Sequence, residues 1–243
     1  MGTFDVRSRQ VAPSSVAYLY GDLFMVDRSR KGPGTAYEVE ASGVKVPEGP
    51  FSTELMTIAL WALQDAGAVR IEGHEHRMLG LALSRRVRII RTTPPGEQPV
   101  HNGLEAIFMR RLASAKAAEK GEELSALIRD LLPTKHQRPH SVVFRIIKKD
   151  LAALGLETPV EFEFQRMWGL RSSEKAVAYQ PVMERIHELE PDARALAQAW
   201  LTFRRKEPAL VDLIINRLEE TLGSRMVDDP SSLTNKTWDG LTY

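Results

Sequence analysis

The residues with the clearest potential for chemistry lie in an alternating segment and directly after it. In Val160–Phe164, the residues Val160, Phe162 and Phe164 would face one way and the two glutamates the other. The sequence that follows is Arg166-Met167-Trp168-Gly169-Leu170-Arg171. At a turn, large apolar side chains can enter a lipid interface while flanking arginines meet phosphate groups. The pattern predicts contact with an anionic lipid surface; the alternative is a half-buried strand whose tip folds back on the core.

Three more cations precede this segment on a predicted helix. Arg145, Lys148 and Lys149 would lie on its outer face, because the inner face is predicted to hold Val143, Ile146, Ile147, Leu151 and Leu154. Together with Arg166 or Arg171 they could converge on one anion, and the arginine fork suits phosphate. The alternative is an ordinary solvated helix face.

The densest basic run is Ser84–Arg91, which carries Arg85, Arg86, Arg88 and Arg91. As the wing of a winged-helix unit, it could cross a nucleic-acid phosphate backbone. Lys and Arg total 33 against 32 for Asp and Glu, so the chain lacks the broad basic surplus typical of DNA readers. A solvated edge strand protected by its arginines is the other interpretation.

The sequence contains no motif that is typical of a metal site or of a catalytic site. His74 and His76 flank Glu75 in a predicted turn, but a zinc site needs three or four ligands and none is close in sequence. The chain has no cysteine, no G-x-S-x-G motif and no phosphate loop. We therefore expect a non-enzymatic protein without catalytic residues, metal or cofactor. The absence of cysteine fits a reducing, cytoplasmic setting, with membrane association possible at the surface.

The elements that must position these residues show a unit that occurs twice. The helix Leu55–Ala66 ends at Gly67 and is followed by a short strand, Ala68–Glu72. The helix Val142–Leu154 ends at Gly155, and the alternating segment follows it. A helix, a glycine stop and then a hairpin are typical of winged-helix-like units. The predicted fold class is mostly α, a helical domain with two winged-helix-like β-hairpins; the first hairpin is predicted to turn at Gly73–Arg77.

Helical periodicity accounts for most of the rest of the chain. Further helices are predicted around 16–23 with Ser14 or Ser15 as N-cap, 104–112, 124–132, 182–189, 196–203 and 211–222. We expect an N-terminal extension at 1–14, one domain at 15–223 and a tail at 224–243. Residues 28–50 are predicted to form a long loop that can contain a short strand at Tyr37–Glu40. As a third functional alternative, this loop or the tail could bind a protein partner, with Trp238 and Tyr243 as anchors.

Three sequence segments resemble segments of the Golgi phosphoprotein 3-like (GPP34) family. Leu60–Ile71 is similar to the family's apolar helix that ends in a short strand, and Lys149–Leu156 looks like the later helix that leads into its hairpin. Arg194–Leu201 is similar to its C-terminal helix. In outline the likeness runs over residues 15–222 and rests on the order of elements and on short apolar phrases.

The resemblance implies a helical peripheral membrane protein that binds a phosphoinositide or another anionic lipid head group. Its hairpin, which would fall at residues 160–173, would insert into the bilayer. The family's pocket arginines align with Phe144 and Ile146 here, and Pro50–Thr53 supplies the aromatic residue but not the arginine of the early helix. The leading hypothesis is an adaptor that binds anionic lipid; the alternatives are a winged-helix nucleic-acid-binding or regulatory protein and a protein-interaction scaffold.

Overall fold

The computed structural model describes residues 11–25, 36–78, 81–93, 102–113, 121–132, 139–165 and 173–224. The helices of these residues are α1 Pro13–Leu19, α2 Gly21–Phe24, α3 Glu48–Asp65, α4 Gly103–Leu112, α5 Leu124–Leu131, α6 Pro139–Ala153, α7 Met183–His187, α8 Glu190–Lys206 and α9 Pro208–Gly223. The strands are β1 Ala36–Glu38, β2 Lys45–Pro47, β3 Val69–Met78, β4 Leu81–Arg91, β5 Glu122–Glu123, β6 Glu157–Gln165 and β7 Ser173–Pro181. The predicted mostly helical fold with β-hairpins is confirmed.

Helix α3 forms the centre of the core. Its residues from Phe51 to Leu63 are all buried, and α1, α4, α6 and α9 pack around it. The predicted start at Leu55 was wrong, because α3 begins at Glu48. Gly49 and Pro50 resemble helix breakers in the sequence, but proline is tolerated in the first turn, where its missing N–H has no helical partner.

The two predicted glycine stops are present and share one geometry. Gly67 and Gly155 both have a φ of 69°, the left-handed conformation that favours glycine. After each glycine, the next backbone N–H bonds back five residues, from Ala68 to Leu63 at 2.8 Å and from Leu156 to Leu151 at 2.9 Å. These are Schellman motifs, and their buried Ala68 and Leu156 lead each chain segment into a hairpin.

The first long hairpin pairs β3 with β4, and β5 adds a short third strand beside Arg88 and Ile89. The predicted turn at Gly73–Arg77 was wrong, since Gly73 pairs with Val87 inside the sheet. A Cβ at Gly73 would lie 2.9 Å from Leu213 Cδ2 of α9. Glycine is therefore present for close packing against a helix rather than for a turn.

Residues 36–50 are more structured than the predicted loop, although β1 overlaps the short strand predicted at Tyr37–Glu40. They contain the β1–β2 hairpin and the start of α3, and Tyr37, Val39 and Val46 are buried. The Tyr37 ring lies 5.1 Å from Tyr18 and 5.1 Å from Phe144, centroid to centroid. The hairpin thus belongs to an aromatic part of the core. The remainder of the predicted 28–50 loop, and the tail beyond Ser224 with Trp238 and Tyr243, lie outside the described residues.

The N-terminal cap of α1 also differs from the prediction. Ala12 is the N-cap, and Ser14 and Ser15 lie within the first turn after Pro13. The carboxylate of Glu105, from α4, accepts hydrogen bonds from Ser14 N at 2.8 Å and Ser14 Oγ at 2.5 Å. A distant glutamate thus satisfies the helix end that a local serine was expected to satisfy.

Candidate functional site

The second long hairpin, β6–β7, is called the C-terminal hairpin below. Its register is unbroken from Glu157↔Pro181 to Gln165↔Ser173. The two strands form a sheet of their own, and their main packing contact with the helical body is between β6 and α6. Nine residues a strand give a length of about 30 Å at ~3.4 Å per residue. The hairpin is therefore a long element whose main contact with the helical body is made by one strand, β6.

Helix α6 leads directly into this hairpin and carries the predicted cations. Arg145 and Lys149 are exposed, and because they are four residues apart they share one face of the helix. No ion pair joins either of them to another residue in the described part of the chain. Two of the three helical cations therefore face solvent, as the sequence predicted.

The prediction that Lys148 points outward was wrong. Only 11% of its side chain is exposed, and Lys148 Nζ lies 3.5 Å from Glu40 Oε1. Its position follows from helical spacing, because Lys148 lies four residues after the buried Phe144 and three residues before the buried Leu151, on the same face of the helix. Counting the apolar Phe144 as part of the buried face of the helix would have predicted the inward position of Lys148.

Phe144 and Ile146 occupy the positions at which the GPP34-like pattern has arginines. The Phe144 ring lies 5.7 Å from the Tyr18 ring and 5.6 Å from the Phe51 ring, centroid to centroid. An aromatic cluster therefore fills this place, and Ile146 is only half-buried beside it. Arg166, Met167, Trp168 and Arg171, which were predicted to touch lipid, lie outside the described residues.

A buried carboxylate that the sequence analysis missed lies at the base of the C-terminal hairpin. Glu157, the first residue of β6, is 2% exposed, and neither of its carboxylate oxygens has a hydrogen-bond partner among the described residues. Burial raises its pKa to about 7; the Lys148 ammonium opposes this rise, and the Glu40 carboxylate adds to it. Three ionisable groups from different elements therefore interact where the hairpin leaves the body.

A second buried carboxylate, Glu105, is the cap of α1 described above. Burial raises its pKa to about 7, although the hydrogen bonds from Ser14 favour its charged form. Asp150 of α6 lies nearby and accepts a 3.2 Å hydrogen bond from Ser15 Oγ. This cluster joins α1, α4 and α6 and has a structural role.

Ser52 and His140 form a pair with nucleophile–base geometry. Ser52 Oγ lies 2.6 Å from His140 Nδ1, and burial lowers the pKa of the imidazole. Ser52 has no exposed surface, and its hydroxyl also bonds the Gly49 carbonyl at 2.9 Å. A substrate cannot reach this oxygen, so the pair is a buried link between α3 and α6.

The basic run of β4 is less exposed than its sequence suggests. Arg85 is exposed and Arg86 is half-buried, but Arg91 is only 9% exposed. Arg88 Nη2 lies 3.8 Å from Glu123 Oε1 of β5, so the strand is not an edge at this point. The four arginines do not form one uncompensated positive stripe.

His74 of the histidine pair contacts a carboxylate of the same sheet, and the side chain of His76 lies outside the described part of the chain. His74 Nε2 lies 3.0 Å from Glu123 Oε1, which explains its position by a contact within the sheet. Within the described ranges, no group of three or more His, Cys, Asp or Glu residues is arranged to hold a metal ion. In the same ranges no helix has both the length and the apolar character needed to cross a bilayer.

We compared the chain with protein-family models, with curated proteins and with solved structures, and none of the three comparisons gave a match. The likeness to the GPP34 family therefore remains the sequence resemblance given above.

Proposed function

We propose that this protein is a non-enzymatic peripheral membrane adaptor whose C-terminal hairpin contacts an anionic lipid surface. The observation that supports this most is the combination of a long two-stranded hairpin with exposed cations on the helix that feeds it. An isolated two-stranded hairpin is marginally stable in water. A bilayer interface would cover the part of this hairpin that the helical body leaves unsupported.

Charge on α6 supports an anionic rather than a neutral surface. Arg145 and Lys149 are exposed on one face, and each cation near an anionic leaflet contributes about 1 kcal/mol. In the sequence, the segment beyond Gln165 adds two arginines around Met167 and Trp168. More specifically, we propose that the anionic lipid is a phosphoinositide, because the guanidinium group of arginine can donate two parallel hydrogen bonds to a phosphate.

A vesicle co-sedimentation assay tests the proposal. The double variant Arg145→Glu/Lys149→Glu should bind anionic vesicles about tenfold more weakly or worse, because two attractive charges become repulsive. Arg110→Glu, an exposed reversal at the end of α4, is the matched control and should bind like the unmodified chain. Trp168→Ala and Arg171→Ala should also weaken binding. Equal sedimentation with neutral and anionic vesicles, unaffected by these changes, would reject the proposal.

A further inference from the structure

The outer edge of β7 has backbone groups that no other strand engages in the described part of the chain. Val182 N donates to Leu156 O at 2.9 Å, which makes Leu156↔Val182 a hydrogen-bonded pair. Because such pairs alternate along an unbroken antiparallel register, Pro159↔Tyr179 and Glu161↔Val177 are non-hydrogen-bonded pairs. The N–H and C=O groups of Val177 and Tyr179 therefore point away from β6.

The two edges of the C-terminal hairpin are not equivalent. On the β6 edge, Pro159 has no N–H to offer, and the exposed Glu161 lies at the middle of the strand. Proline and charge are the usual devices that keep an edge strand from pairing. On the β7 edge no proline occurs before Pro181, the last residue of the strand, and the middle residue is Val177. The β7 edge carries Lys175 and, at its end, Pro181, which would lack a donor opposite Ser173 of a partner strand, but its middle is unprotected, whereas the β6 edge is protected by proline and charge near and at its middle.

Exposed apolar side chains occur on β7 and directly after it. Among the described residues, the exposed large hydrophobic side chains are Val177 at 43% and Met183 at 36%. Val177 is the midpoint of β7, and Met183 begins α7 directly beyond its end.

We propose that β7 pairs edge to edge with β7 of a second copy of this chain. The strand is nine residues long, so full overlap in the antiparallel sense places its midpoint, Val177, opposite Val177 of the second copy. The two hairpins then form one four-stranded antiparallel sheet around a twofold axis. Both Val177 residues already direct their N–H and C=O groups outward, as this register requires.

The same register is compatible in charge. It places Glu174 opposite Gln180 and Lys175 opposite Tyr179 of the second copy, so no like charges are paired. The equivalent pairing of two β6 edges would place Glu161 opposite Glu161 and would lack a donor at Pro159. The chain is thus self-complementary along β7 and not along β6, and the second copy is the partner that this edge fits.

Cysteine cross-linking tests the register directly, because the chain contains no cysteine. A hydrogen-bonded antiparallel pair has Cα atoms about 5.5 Å apart, within the range that a disulfide spans. Val177→Cys should therefore give a covalent dimer on mild oxidation, without lipid present. Glu161→Cys, at the midpoint of the other edge, is the matched control and should stay largely monomeric. Equal cross-linking of the two variants, or none with Val177→Cys, would overturn the proposal.

Sedimentation of the full chain gives an independent readout. The unmodified chain should show a concentration-dependent dimer, and Val177→Lys should raise its dissociation constant about tenfold or more, because two ammonium groups would meet on the axis. Val177→Thr keeps a β-branched residue and should still dimerise. Since Val177 is exposed, both variants should keep the circular dichroism of the parent. A parent chain that stays monomeric at every concentration would contradict the pairing, whatever the vesicle assay shows.

Discussion

At the scale of single residues, the buried carboxylates have the largest energetic consequences. Glu105 and Glu157 lie on different elements, but burial raises the pKa of each to about 7 from an ordinary value of 4.5. The folded chain therefore holds protons that the unfolded chain releases between these two pH values. The stabilisation that these two groups contribute is fully present below about pH 4.5 and is lost as the pH rises through about 7.

Glu157→Gln should remove its share of this pH dependence. A shift of this size corresponds to ~3 kcal/mol, so the variant should be ~1–3 kcal/mol more stable than the parent at about pH 8 and nearly equal to it at about pH 4. Urea unfolding across this pH range measures the effect. Glu161→Gln, exposed on the same strand, should change little. A Gln variant that loses stability at alkaline pH would show that attraction to Lys148 outweighs the cost of burial.

At the scale of elements, the two glycines that end α3 and α6 allow the stability cost of an alanine substitution to be compared between them. Both glycines have φ of 69°, and an L-residue there costs roughly 1–2 kcal/mol. A Cβ at Gly67 meets nothing within 4 Å, but a Cβ at Gly155 would displace the Arg185 guanidinium, which donates a 2.9 Å hydrogen bond to the Gly155 carbonyl. Gly155→Ala should therefore destabilise the fold more than Gly67→Ala. Thermal unfolding of the two variants tests this, and a larger loss at Gly67 would contradict the account.

The sequence predicts elements well where local chemistry decides them. Each helix–glycine–strand unit needs left-handed backbone at one position, and glycine in the sequence marks that position. The errors lie where distant contacts decide. Gly73 continues a strand because Leu213 packs over it, and the N-terminus of α1 is capped by Glu105 rather than by Ser14 or Ser15. No local pattern contains either partner.

The candidate site was predictable to a similar degree. Helical spacing correctly places Arg145 and Lys149 in solvent, since both lie opposite the buried face. It failed for Lys148 because Phe144 was left out of that face. The buried, unpartnered carboxylate of Glu157 could not be foreseen, since an alternating strand that begins with glutamate usually exposes it.

At the scale of the whole molecule, the helical core carries the C-terminal hairpin, whose two edges differ. The hairpin leaves the core beside Glu157, Glu40 and Lys148, while Arg145 and Lys149 remain exposed on the supporting helix. Contact with lipid and pairing of β7 both use the surface that the core does not cover. An antiparallel pair would place the far ends of its two hairpins at opposite ends of the shared sheet. Strong dimerisation and binding of both hairpins to one bilayer should therefore compete.

The most direct test of the lipid-contact proposal is an environment-sensitive fluorophore placed at single cysteines along the hairpin. Glu161→Cys reports the middle of β6, Thr158→Cys its base, and Arg110→Cys the end of α4; all three residues are exposed and lie outside the proposed β7 pairing. On adding anionic vesicles, the account predicts a blue shift at position 161, a smaller one at 158 and none at 110. Neutral vesicles should give no shift. An unchanged spectrum at position 161 with anionic vesicles would contradict the proposal that this hairpin meets the membrane.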